Sequence, residues 1–588
     1  MMQPAVPKPF SYETFPTSGL VAYFSMEIAI HRAMPTYAGG LGMLAGDTLR
    51  SAADLGVPLV AFTLAHRKGY FQQHLTGSGD QSEDIQPWNP ADFCHEESAR
   101  ITVSVEDRVV TVRAWRYDLQ GRYGHVVPIY LLDTDLDGNS GWDRGLTDHL
   151  YGGDTNYRLQ QEIVLGMGGA RMANALGLNV NVHHMNEGHA ALLTLALLES
   201  QMSGGPLAAA TETDIAQVRR KCVFTTHTPV PAGHDRFSTE QTIRILGGER
   251  TARLERLDCF RDGLLNMTLL ALRFSRYANG VALQHGKVSR AMFPEFAIDS
   301  ITNGVHAPTW VSEPVQQMLD AHIPAWRRDN LYLRNAIDLP EQDMLKAHAR
   351  AKDDLLAEVA TRTGLLLNPR VLTLGFARRA ATYKRASLLF TDPERLLKTA
   401  NDAGGLQILY AGKAHPQDAP GKALIHTVIE TAGKLSNEKL RIVYLEDYNW
   451  DLGALLTAGV DVWVNTPRRP YEASGTSGMK AALNGVPSLS ILDGWWIEGC
   501  IENVTGWAIE DGANDAEEAG SLYHKLETAI VPLYLQAPER WARLMRTTLA
   551  FNGSYFNTNR MVKQYTRNAY YPVKLIETAK VEEAAFAN

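Results

Sequence analysis

Two successive series of short apolar runs, alternating with helix-length segments, constrain the fold of this 588-residue chain most strongly. The first series comprises residues 20–24, 58–63, 127–132, 180–185, 222–226 and 280–283. The second comprises residues 371–376, 407–410, 441–445, 460–464 and 488–492. Apolar runs separated by helices are typical of parallel sheets in α/β proteins. We therefore predict two doubly wound, Rossmann-like α/β domains that face each other across a cleft.

Three segments depart from this alternation. Residues 101–115 alternate apolar and polar side chains around Glu106-Asp107, which predicts an antiparallel hairpin. Residues 340–362 predict a long charged helix, and 538–571 predict helices with a break at Asn552-Gly553. With an irregular, proline-containing stretch between the series, we predict domains at 1–325 and 326–545. The C-terminal helices, 546–588, are expected to pack back on the first domain.

Composition excludes several classes of protein. The net charge of -8 argues against a nucleic-acid or anionic-membrane partner. The N-terminal residues contain no apolar signal-peptide core, and no run approaches about 18 uninterrupted apolar residues. The four cysteines, Cys94, Cys222, Cys259 and Cys500, lack CxxC spacing and are expected to be buried thiols of a reducing compartment. We therefore expect a soluble cytoplasmic protein.

The most informative local segment is 472–480, which reads EASGTSGMK and leads into a short helix-favouring stretch. A loop of glycine and hydroxyl residues at a helix start offers free backbone N–H groups to an anion. We expect Lys480 in the first helical turn, where the helix dipole disfavours an ammonium. An amine biased toward neutrality beside a phosphate cradle suits a Schiff base to a phosphorylated aldehyde. The alternative is simple phosphate binding, but the Walker spacing is not met because Met479 separates Gly478 from Lys480.

A cluster of cations follows the first run of the second series. Arg378, Arg379, Lys384 and Arg385 fall within eight residues. Such a cluster is usually a solvated helix face, but here it follows a buried strand, where α/β proteins collect their ligands. Fixed cations at that position are suited to holding two phosphates that repel each other.

Three further segments are ambiguous when taken alone. Gly39-Gly40-Leu41-Gly42 precedes a helix and is either a packing turn or a backbone approach to a phosphate or sugar. Asn303-Gly304, with Trp310 nearby, is equally consistent with an Asn-stabilised turn beside a buried tryptophan. The histidines of 183–189 and 227–234 fit no metal-ligand spacing, so we expect no metal and interpret these segments, His227 included, as loops that line the cleft.

The run EASGTSGMKAALNG closely resembles the pyridoxal-phosphate lysine segment of the α-glucan (glycogen, starch and maltodextrin) phosphorylases. The resemblance extends from about Val21 to Tyr571 and implies the family's GT-B arrangement, with pyridoxal 5'-phosphate attached to Lys480. It implies that Thr476, Ser477 and Arg378 contact the coenzyme phosphate and that Trp310 lies near the coenzyme pocket. Arg378 stands where the family usually has lysine, which keeps the charge but changes the donor geometry.

The same resemblance assigns the substrate side. It implies that Arg379 and Lys384 hold the substrate phosphate and, with Lys480, form the catalytic set. The implied sugar and phosphate contacts are Gly39, Gly40, Leu41, His227, Asn303, Tyr383, Glu472, Ser474 and Gly475. One position departs from the family, because Arg276 stands where a histidine commonly precedes an N-G-V triplet. Which residue replaces that histidine is left open.

The implied activity is that of an α-1,4-glucan phosphorylase, which transfers a non-reducing-end glucosyl unit to inorganic phosphate and yields α-glucose 1-phosphate with retention. In the implied mechanism the coenzyme 5'-phosphate exchanges a proton with the substrate phosphate. Family members are usually dimers, so a homodimer is expected. One alternative is a nucleotide-sugar-dependent GT-B glucosyltransferase resembling glycogen or starch synthase, which shares the GGLG loop but has no use for the lysine segment. The other is a non-catalytic glucan-binding protein, which would not need the phosphate-binding cations.

Overall fold

Two mostly parallel sheets organise the chain in the computed structural model, which describes residues 19–202, 205–230 and 233–572. The predicted ends of the first and last domains, residues 1–18 and 573–588, lie outside the described residues. The strands are β1 (Leu20–Ser25), β2 (Leu59–Leu64), β3 (Gln72–Leu75), β4 (Gln81–Asp84), β5 (His95–Val105), β6 (Arg108–Gln120), β7 (Val126–Asp133), β8 (Val180–Asn186), β9 (Cys222–Thr225), β10 (Arg236–Ser238), β11 (Phe260–Arg261), β12 (Leu264–Asn266), β13 (Tyr277–Gly280), β14 (Asp299–Ser300), β15 (Leu372–Ala377), β16 (Leu406–Ala411), β17 (Leu440–Leu445), β18 (Val462–Asn465), β19 (Ser488–Ile491) and β20 (Gly506–Ile509).

Helices cover both faces of these sheets. The α-helices are α1 (Gly40–Leu55), α2 (Gly141–Arg144), α3 (Thr155–Glu162), α4 (Gly169–Ala175), α5 (Leu193–Gln201), α6 (Glu212–Lys221), α7 (Thr239–Leu246), α8 (Gly248–Arg256), α9 (Met267–Arg273), α10 (Leu283–Met292), α11 (Ala307–Trp310), α12 (Glu313–His322), α13 (Glu341–Thr363), α14 (Pro393–Asp402), α15 (Ala419–Leu435), α16 (Trp450–Gly459), α17 (Thr476–Ala482), α18 (Trp496–Gly499), α19 (Asp515–Lys525), α20 (Val531–Gln536), α21 (Pro538–Thr547) and α22 (Thr558–Tyr565).

The first sheet has the strand order β14-β13-β9-β8-β1-β2-β7-β6-β5. Its strands from β14 to β7 pair in parallel, whereas β5 and β6 form the predicted antiparallel hairpin at one edge. The hairpin turn uses Glu106 and Asp107 with φ of 50° and 61°, the left-handed conformation that tight hairpin turns require. All residues of β2 are buried, as expected for a strand covered on both faces.

The second sheet is entirely parallel, with the order β17-β16-β15-β18-β19-β20. In chain order this is the doubly wound arrangement in which the first strand, β15, pairs with the second on one side and the fourth on the other. Connections leave β15 and β18 toward opposite faces at this point, so a crevice opens at their carboxyl ends. Arg378 directly follows β15, and Asn465 ends β18, which brings both residues to the crevice. The α/β fold class predicted from the sequence is confirmed.

Two sequence predictions about this framework were wrong. The run 280–283 is not a strand, because β13 ends at Gly280 and α10 begins at Leu283. The Asn279-Gly280 pair resembles a turn in sequence, yet Asn279 pairs with Asp299 within the sheet. Cys500 is only partly buried because it lies in the loop after α18, whereas Cys94, Cys222 and Cys259 are buried as expected.

The C-terminal helices return to the first domain as predicted. In α22, Thr558 Oγ1 lies 2.6 Å from Ser51 Oγ of α1. Farther on, the Tyr570 hydroxyl lies 2.8 Å from His184 Nδ1 on β8. The predicted break at Asn552-Gly553 was wrong in position, because the helical segment Thr548–Gly553 contains both residues and the interruption lies at Phe556 and Asn557, before α22 begins at Thr558. The predicted boundary at residue 325 falls between the last strand of the first sheet and the first strand of the second.

The hairpin of β3 and β4 reaches from the first domain to the second. Gln73 donates to the Gly412 carbonyl over 2.9 Å and accepts from the Asp447 backbone N–H over 3.0 Å. Lys413 in turn donates to the Phe71 carbonyl over 3.0 Å. The loop after β16 is thereby fixed against the first domain, directly behind the Arg378 segment, whose backbone N–H donates to Ala411. None of the helices described is both long enough and apolar enough to traverse a lipid bilayer.

Candidate active site

Lys480 lies in α17, which begins at Thr476 after the left-handed cap Gly475, with φ of 86°. The lysine is therefore in the second turn, not in the first as predicted, because the helix begins earlier than the sequence indicated. The field of a helix end falls off within its first turn, so the dipole is not the main influence on this amine. Burial is: the side chain is 7% exposed, and desolvation lowers the pKa of Lys480 to about 8.

Trp310 covers this amine. Lys480 Nζ lies 3.5 Å from the centroid of the Trp310 ring. Within the part of the chain that the structure describes, the amine makes no hydrogen bond and no ion pair. The indole Nε1 donates to Asp47 Oδ2 over 2.6 Å, so the ring is held from the first domain. Lys480 is thus a buried amine that faces an aromatic surface instead of a carboxylate.

The cations after β15 contact Glu472, the first residue of the segment that leads to Lys480. Lys384 Nζ lies 2.6 Å from Glu472 Oε2, and Arg378 Nη1 lies 3.0 Å from the same oxygen. Arg378 also donates to Asn465 Oδ1, and its Nη2 lies 3.5 Å from Ser477 Oγ. These contacts bring the predicted residues Arg378, Lys384, Glu472 and Ser477 together.

The charge state of this cluster follows from its pairing. Burial raises the pKa of the Glu472 carboxyl, but Lys384 and Arg378 more than offset that effect and hold the pKa at about 2. Asp493, whose Oδ2 accepts from the Glu472 backbone N–H over 2.9 Å, has its pKa raised to about 6 by burial. Glu472 is therefore ionised at neutral pH, and its loop is fixed in place by Asp493.

Arg379 and Tyr383 face the cleft beside this cluster. The Arg379 side chain is exposed to solvent, whereas its neighbour Lys384 is buried. Lys384 Nζ lies 4.5 Å from the centroid of the Tyr383 ring. Although burial raises it, the net pKa of the Tyr383 phenol is lowered by Lys384 and Arg379. The exposed guanidinium is available to an anion in the cleft.

The glycine loop before α1 forms the opposite wall. Glu27 Oε2 accepts from the backbone N–H groups of Ala38 over 2.6 Å and Gly39 over 3.2 Å, and Glu27 Oε1 accepts from the Tyr151 hydroxyl over 2.9 Å. The N–H groups of Gly40 and Leu41, at the start of α1, have no intrahelical acceptor. A Cβ added to Gly39 or Gly40 would meet no atom within 4 Å, so open space lies next to both.

Arg379 is the cation that the structure orients toward that wall. Its charge acts on the Tyr70 and Tyr151 hydroxyls, and Tyr151 is hydrogen-bonded to Glu27. The hydrogen bonds of the described residues do not join Gly39, Gly40 or Leu41 to the cations themselves.

His227 and Asn303 belong to loops at the ends of first-domain strands. His227 Nε2 lies 2.7 Å from Asn186 Oδ1, and burial lowers the pKa of the imidazole to about 3, so the ring is neutral. Asn303 is 2% exposed, and its Oδ1 has no hydrogen-bond partner among the described residues. Ser474 Oγ on the second domain is equally buried and unpartnered. Buried polar atoms without partners point to a ligand.

Glu498 joins the loops that carry these two unpartnered atoms. Its carboxylate accepts from Thr302 Oγ1 over 2.7 Å and from the Leu283 backbone N–H over 2.9 Å. At the N-cap of the same short helix, α18, the Trp495 N–H donates to the Ser474 carbonyl over 2.8 Å. The Asn303 loop and the Ser474–Gly475 loop therefore meet at the junction of the two domains.

Arg276, at the place of the family histidine, does not line this junction. Its Nη2 donates to the carbonyl of Tyr570 over 3.1 Å, which ties β13 to the C-terminal helices. His285 lies in the same segment, accepts from the Val281 N–H over 3.1 Å at Nδ1, and influences the pKa of His227.

Sequence reasoning missed four contributors: Glu27, Asp47, Asn465 and Asp493. Asn465 and Asp493 follow the apolar runs 460–464 and 488–492, so a systematic inspection of strand ends would have found them. Asp47 lies in the helix that follows the glycine loop, but nothing in the sequence connects it with Trp310. Glu27 likewise requires the folded contact with Ala38 and Gly39.

Comparison with known proteins gives a consistent result. A family model described as carbohydrate phosphorylase matches residues 183–511. The maltodextrin phosphorylase of Thermococcus litoralis is 38% identical over 595 residues, which cover 94% of this chain and 70% of that protein. The glycogen phosphorylase of Mycobacterium tuberculosis is 38% identical over 94% of this chain and 71% of its own length. That of Aquifex aeolicus is 33% identical over 94% of this chain and 86% of its own length.

Proposed function

The chain belongs to the carbohydrate phosphorylase family, and from that premise we propose that it is an α-1,4-glucan phosphorylase. It transfers the glucosyl unit at the non-reducing end of an α-glucan to inorganic phosphate and releases α-glucose 1-phosphate with retention. Relatives that are named maltodextrin phosphorylase and glycogen phosphorylase, each aligned over 94% of this chain, support the substrate class.

Pyridoxal 5'-phosphate is the proposed cofactor, and the residues present fit it. Lys480 offers a buried amine with a pKa of about 8, and none of the described residues accepts a hydrogen bond from it. A few residues earlier, Thr476 and Ser477 open α17 with N–H groups that have no intrahelical acceptor. Arg378 adds a fixed cation beside Ser477. When bound, the cofactor supplies a phosphate group that can donate and accept a proton near the substrate phosphate.

The chain's own residues bind and orient the second phosphate. Arg379 is exposed to the cleft and Lys384 lies beside it, so both are placed to neutralise an anion there. The free N–H groups of Gly40 and Leu41 approach the same space from the other wall. Holding two phosphates close together costs Coulomb energy that these cations and amides offset.

The sugar side is supplied by neutral and acceptor groups. Glu472 stays ionised because its pKa is about 2, so its carboxylate accepts hydrogen bonds from sugar hydroxyls. Asn303 and Ser474 offer buried polar atoms without partners, and His227 offers a neutral imidazole. Tyr383 and Gly475 complete this side of the proposed site.

The single observation that carries the proposal is the unpaired, buried amine of Lys480 beside the paired cations Arg378 and Lys384. A nucleotide-sugar transferase has no use for such an amine. A non-catalytic glucan-binding protein needs neither group. The combination is suited to a cofactor held covalently at one end of a phosphate-binding cleft.

The test is phosphorolysis across a maltooligosaccharide series with inorganic phosphate, with and without added pyridoxal 5'-phosphate. We expect glucose 1-phosphate only when inorganic phosphate and pyridoxal 5'-phosphate are both present. We expect none from Lys480→Ala. Chain elongation from a nucleotide glucose without phosphate would favour the transferase instead. No product with any α-glucan would contradict the substrate assignment.

The remaining assignments are proposals of the same kind. The partners are an α-1,4-glucan or maltooligosaccharide and inorganic phosphate, with no nucleic-acid or membrane partner. Free cysteines support a reducing, cytoplasmic compartment. The homodimer and the domain division at residues 325 and 545 stay predictions.

A further inference from the structure

Packing of α1 alone does not explain the contacts of the buried carboxylate Asp47. It lies on α1, which begins at the glycine loop, and is 1% exposed. Its Oδ2 accepts from Trp310 Nε1 over 2.6 Å and from the His306 N–H over 3.1 Å. Its Oδ1 makes no hydrogen bond among the described residues, and Arg50 Nη1 lies 3.7 Å away.

Trp310 transmits the position of Asp47 to Lys480. The indole is 2% exposed, and Lys480 Nζ lies 3.5 Å from its ring centroid. Trp450 stacks on Trp310 at 6.0 Å with 29° between the planes. Arg50 lies over Trp450 at 4.6 Å. The ring is therefore fixed by a hydrogen bond at its edge and by stacking on its face.

The hydrogen bonds from Trp310 and His306 do not by themselves require a charged acceptor. An amide oxygen would satisfy both donors, whereas an ionised carboxylate is costly to bury. The Asp47 carboxylate opposes the lowering of the Lys480 pKa that burial causes. Trp310 and Trp450, which pack nearby, carry no charge. The Asp47 carboxylate therefore has two basic groups to act on: Arg50, whose Nη1 lies 3.7 Å from Oδ1, and Lys480, whose pKa it raises.

We propose that Asp47 is a positioning residue for Lys480, holding the Trp310 ring against the amine and placing a negative charge at the far end of the indole Nε1 hydrogen bond. The proposal rests on the proposed function only in taking Lys480 as the cofactor lysine. It also links the two walls of the cleft, because α1 starts at the phosphate-facing glycines and α17 carries the lysine. A shift of α1 is thereby passed to the amine through one side chain.

The experiment follows the titration of Lys480 in the full chain freed of cofactor, by competitive acetylation across pH and peptide mass spectrometry. Asp47→Asn keeps an acceptor for Trp310 but removes the charge. We expect Lys480 in Asp47→Asn to label about tenfold faster near pH 7, because a larger fraction of the amine is neutral. Asp54→Asn is the matched control, since Asp54 lies on the same helix and lies 3.0 Å from His306 Nε2 but does not contact Trp310. Its Lys480 profile should coincide with that of the unaltered protein.

Cofactor affinity supplies a second readout, measured by fluorescence titration with pyridoxal 5'-phosphate. Trp310→Phe keeps a ring but removes the Nε1 donor and leaves α1 unchanged, so it tests the contact even if Asp47 variants do not fold. We expect Asp47→Ala and Trp310→Phe each to weaken binding, and their combination to weaken it by less than the product of the two fold-changes. Unchanged affinity in Trp310→Phe, or a Lys480 profile in Asp47→Asn equal to that of Asp54→Asn, would overturn the proposal.

Failure of the proposed function gives a different result. If Lys480 is not the cofactor lysine, Lys480→Arg binds pyridoxal 5'-phosphate as the unaltered protein does, while the Lys480 titration still responds to Asp47→Asn.

Discussion

Lys384 and Lys480 are both 7% exposed and lie on the same domain, yet the protein holds them in opposite ways. Lys384 lies 2.6 Å from Glu472 Oε2 and is paired with that carboxylate. Lys480 has an aromatic ring in place of a carboxylate, and its pKa falls to about 8. One cleft thus contains a fixed charge for an anion and an amine that loses its proton readily. The difference arises from the partner, not from the depth of burial.

Lys352 shows that pairing is the usual solution in this chain. It is 3% exposed and its Nζ lies 2.5 Å from Asp461 Oδ2. Asp461 also accepts from the backbone N–H of Thr373, near the start of β15. This pair therefore lies at the amino ends of the strands, away from the site at their carboxyl ends. A buried charge without a partner is costly. The unpaired state of Lys480 is therefore the feature that asks for a functional explanation.

The largest effect is expected from Lys480→Met, which removes the lysine that has no paired carboxylate. Phosphorolysis should fall by at least about 10²-fold, because the cofactor whose phosphate serves as the acid–base group is no longer held covalently. The folded state should persist, because Met fills the same space beside Trp310. Activity and circular dichroism of the two proteins check this, with Lys352→Met as a control that keeps the site but loses a structural pair. Retained activity in Lys480→Met would contradict the assignment.

Lys384→Met removes the lysine that is paired with Glu472. Removing one partner of a buried pair costs about 3 kcal/mol of unfolding free energy, the lower end of the usual range because Arg378 remains with Glu472. Urea unfolding of Lys384→Met, Glu472→Gln and the double variant measures the coupling. The double variant should be more stable than the sum of the single losses predicts. Additive losses would mean that the pair contributes nothing.

The acid limb of stability should respond to the same variant. The pKa of Glu472 is lowered to about 2, so its stabilisation is complete above its ordinary pKa and is lost as pH falls toward 2. Without Lys384 that pKa moves upward, so the acid-dependent loss of stability is smaller and is complete at a higher pH. Chemical unfolding between pH 2 and 5 measures the shift, with Glu472→Gln, which lacks the titrating carboxyl, as the control. An unchanged acid limb would show that Arg378 alone sets the pKa of Glu472.

The free energy of unfolding at alkaline pH should also distinguish Lys480 from Lys384. In the cofactor-free protein its pKa of about 8 lies below the unfolded value of 10.5, so the unfolded state binds more protons between these limits. Stability relative to Lys480→Met therefore rises with pH across that window, by up to about 3 kcal/mol. The difference is constant below about pH 8. A flat difference from pH 7 to 11 would show that the amine is not desolvated.

The smallest effect is expected at the opposite wall, from Gly39→Ala. The φ of Gly39 is −166°, extended backbone that any residue adopts, and an added Cβ meets nothing within 4 Å. Unfolding free energy should change by less than about 0.5 kcal/mol. The KM for phosphate should nevertheless rise, because the methyl group occupies the space that the ligand needs. An unchanged KM would mean that this space is not used.

How much of this was readable from the sequence depended on the range of the interaction. The two sheets, the Glu106-Asp107 hairpin and the cation cluster after β15 follow from local pattern, and all were predicted. The start of α17 was misjudged because Gly475, Thr476 and Ser477 suit either a loop or a first turn. Strand β20 was not predicted, since Gly506–Ile509 is too short to stand out.

The contacts that distinguish Lys480 from Lys384 are long-range. Asp47 and Trp310 are separated by 263 positions, and no local pattern pairs them. Glu27 reaches the glycine loop over a shorter distance, but its two backbone acceptors become visible only in the folded chain. The sequence thus indicated which residues carry charge, and the fold determined which of those charges are paired.

The most direct test is to incubate the purified protein with pyridoxal 5'-phosphate, reduce it with borohydride and map the modified lysine by peptide mass spectrometry. The account predicts the pyridoxyl mass on the peptide that contains Lys480 and on neither the Lys384 nor the Lys352 peptide. Modification of Lys384 in preference to Lys480, or of no lysine, would contradict it.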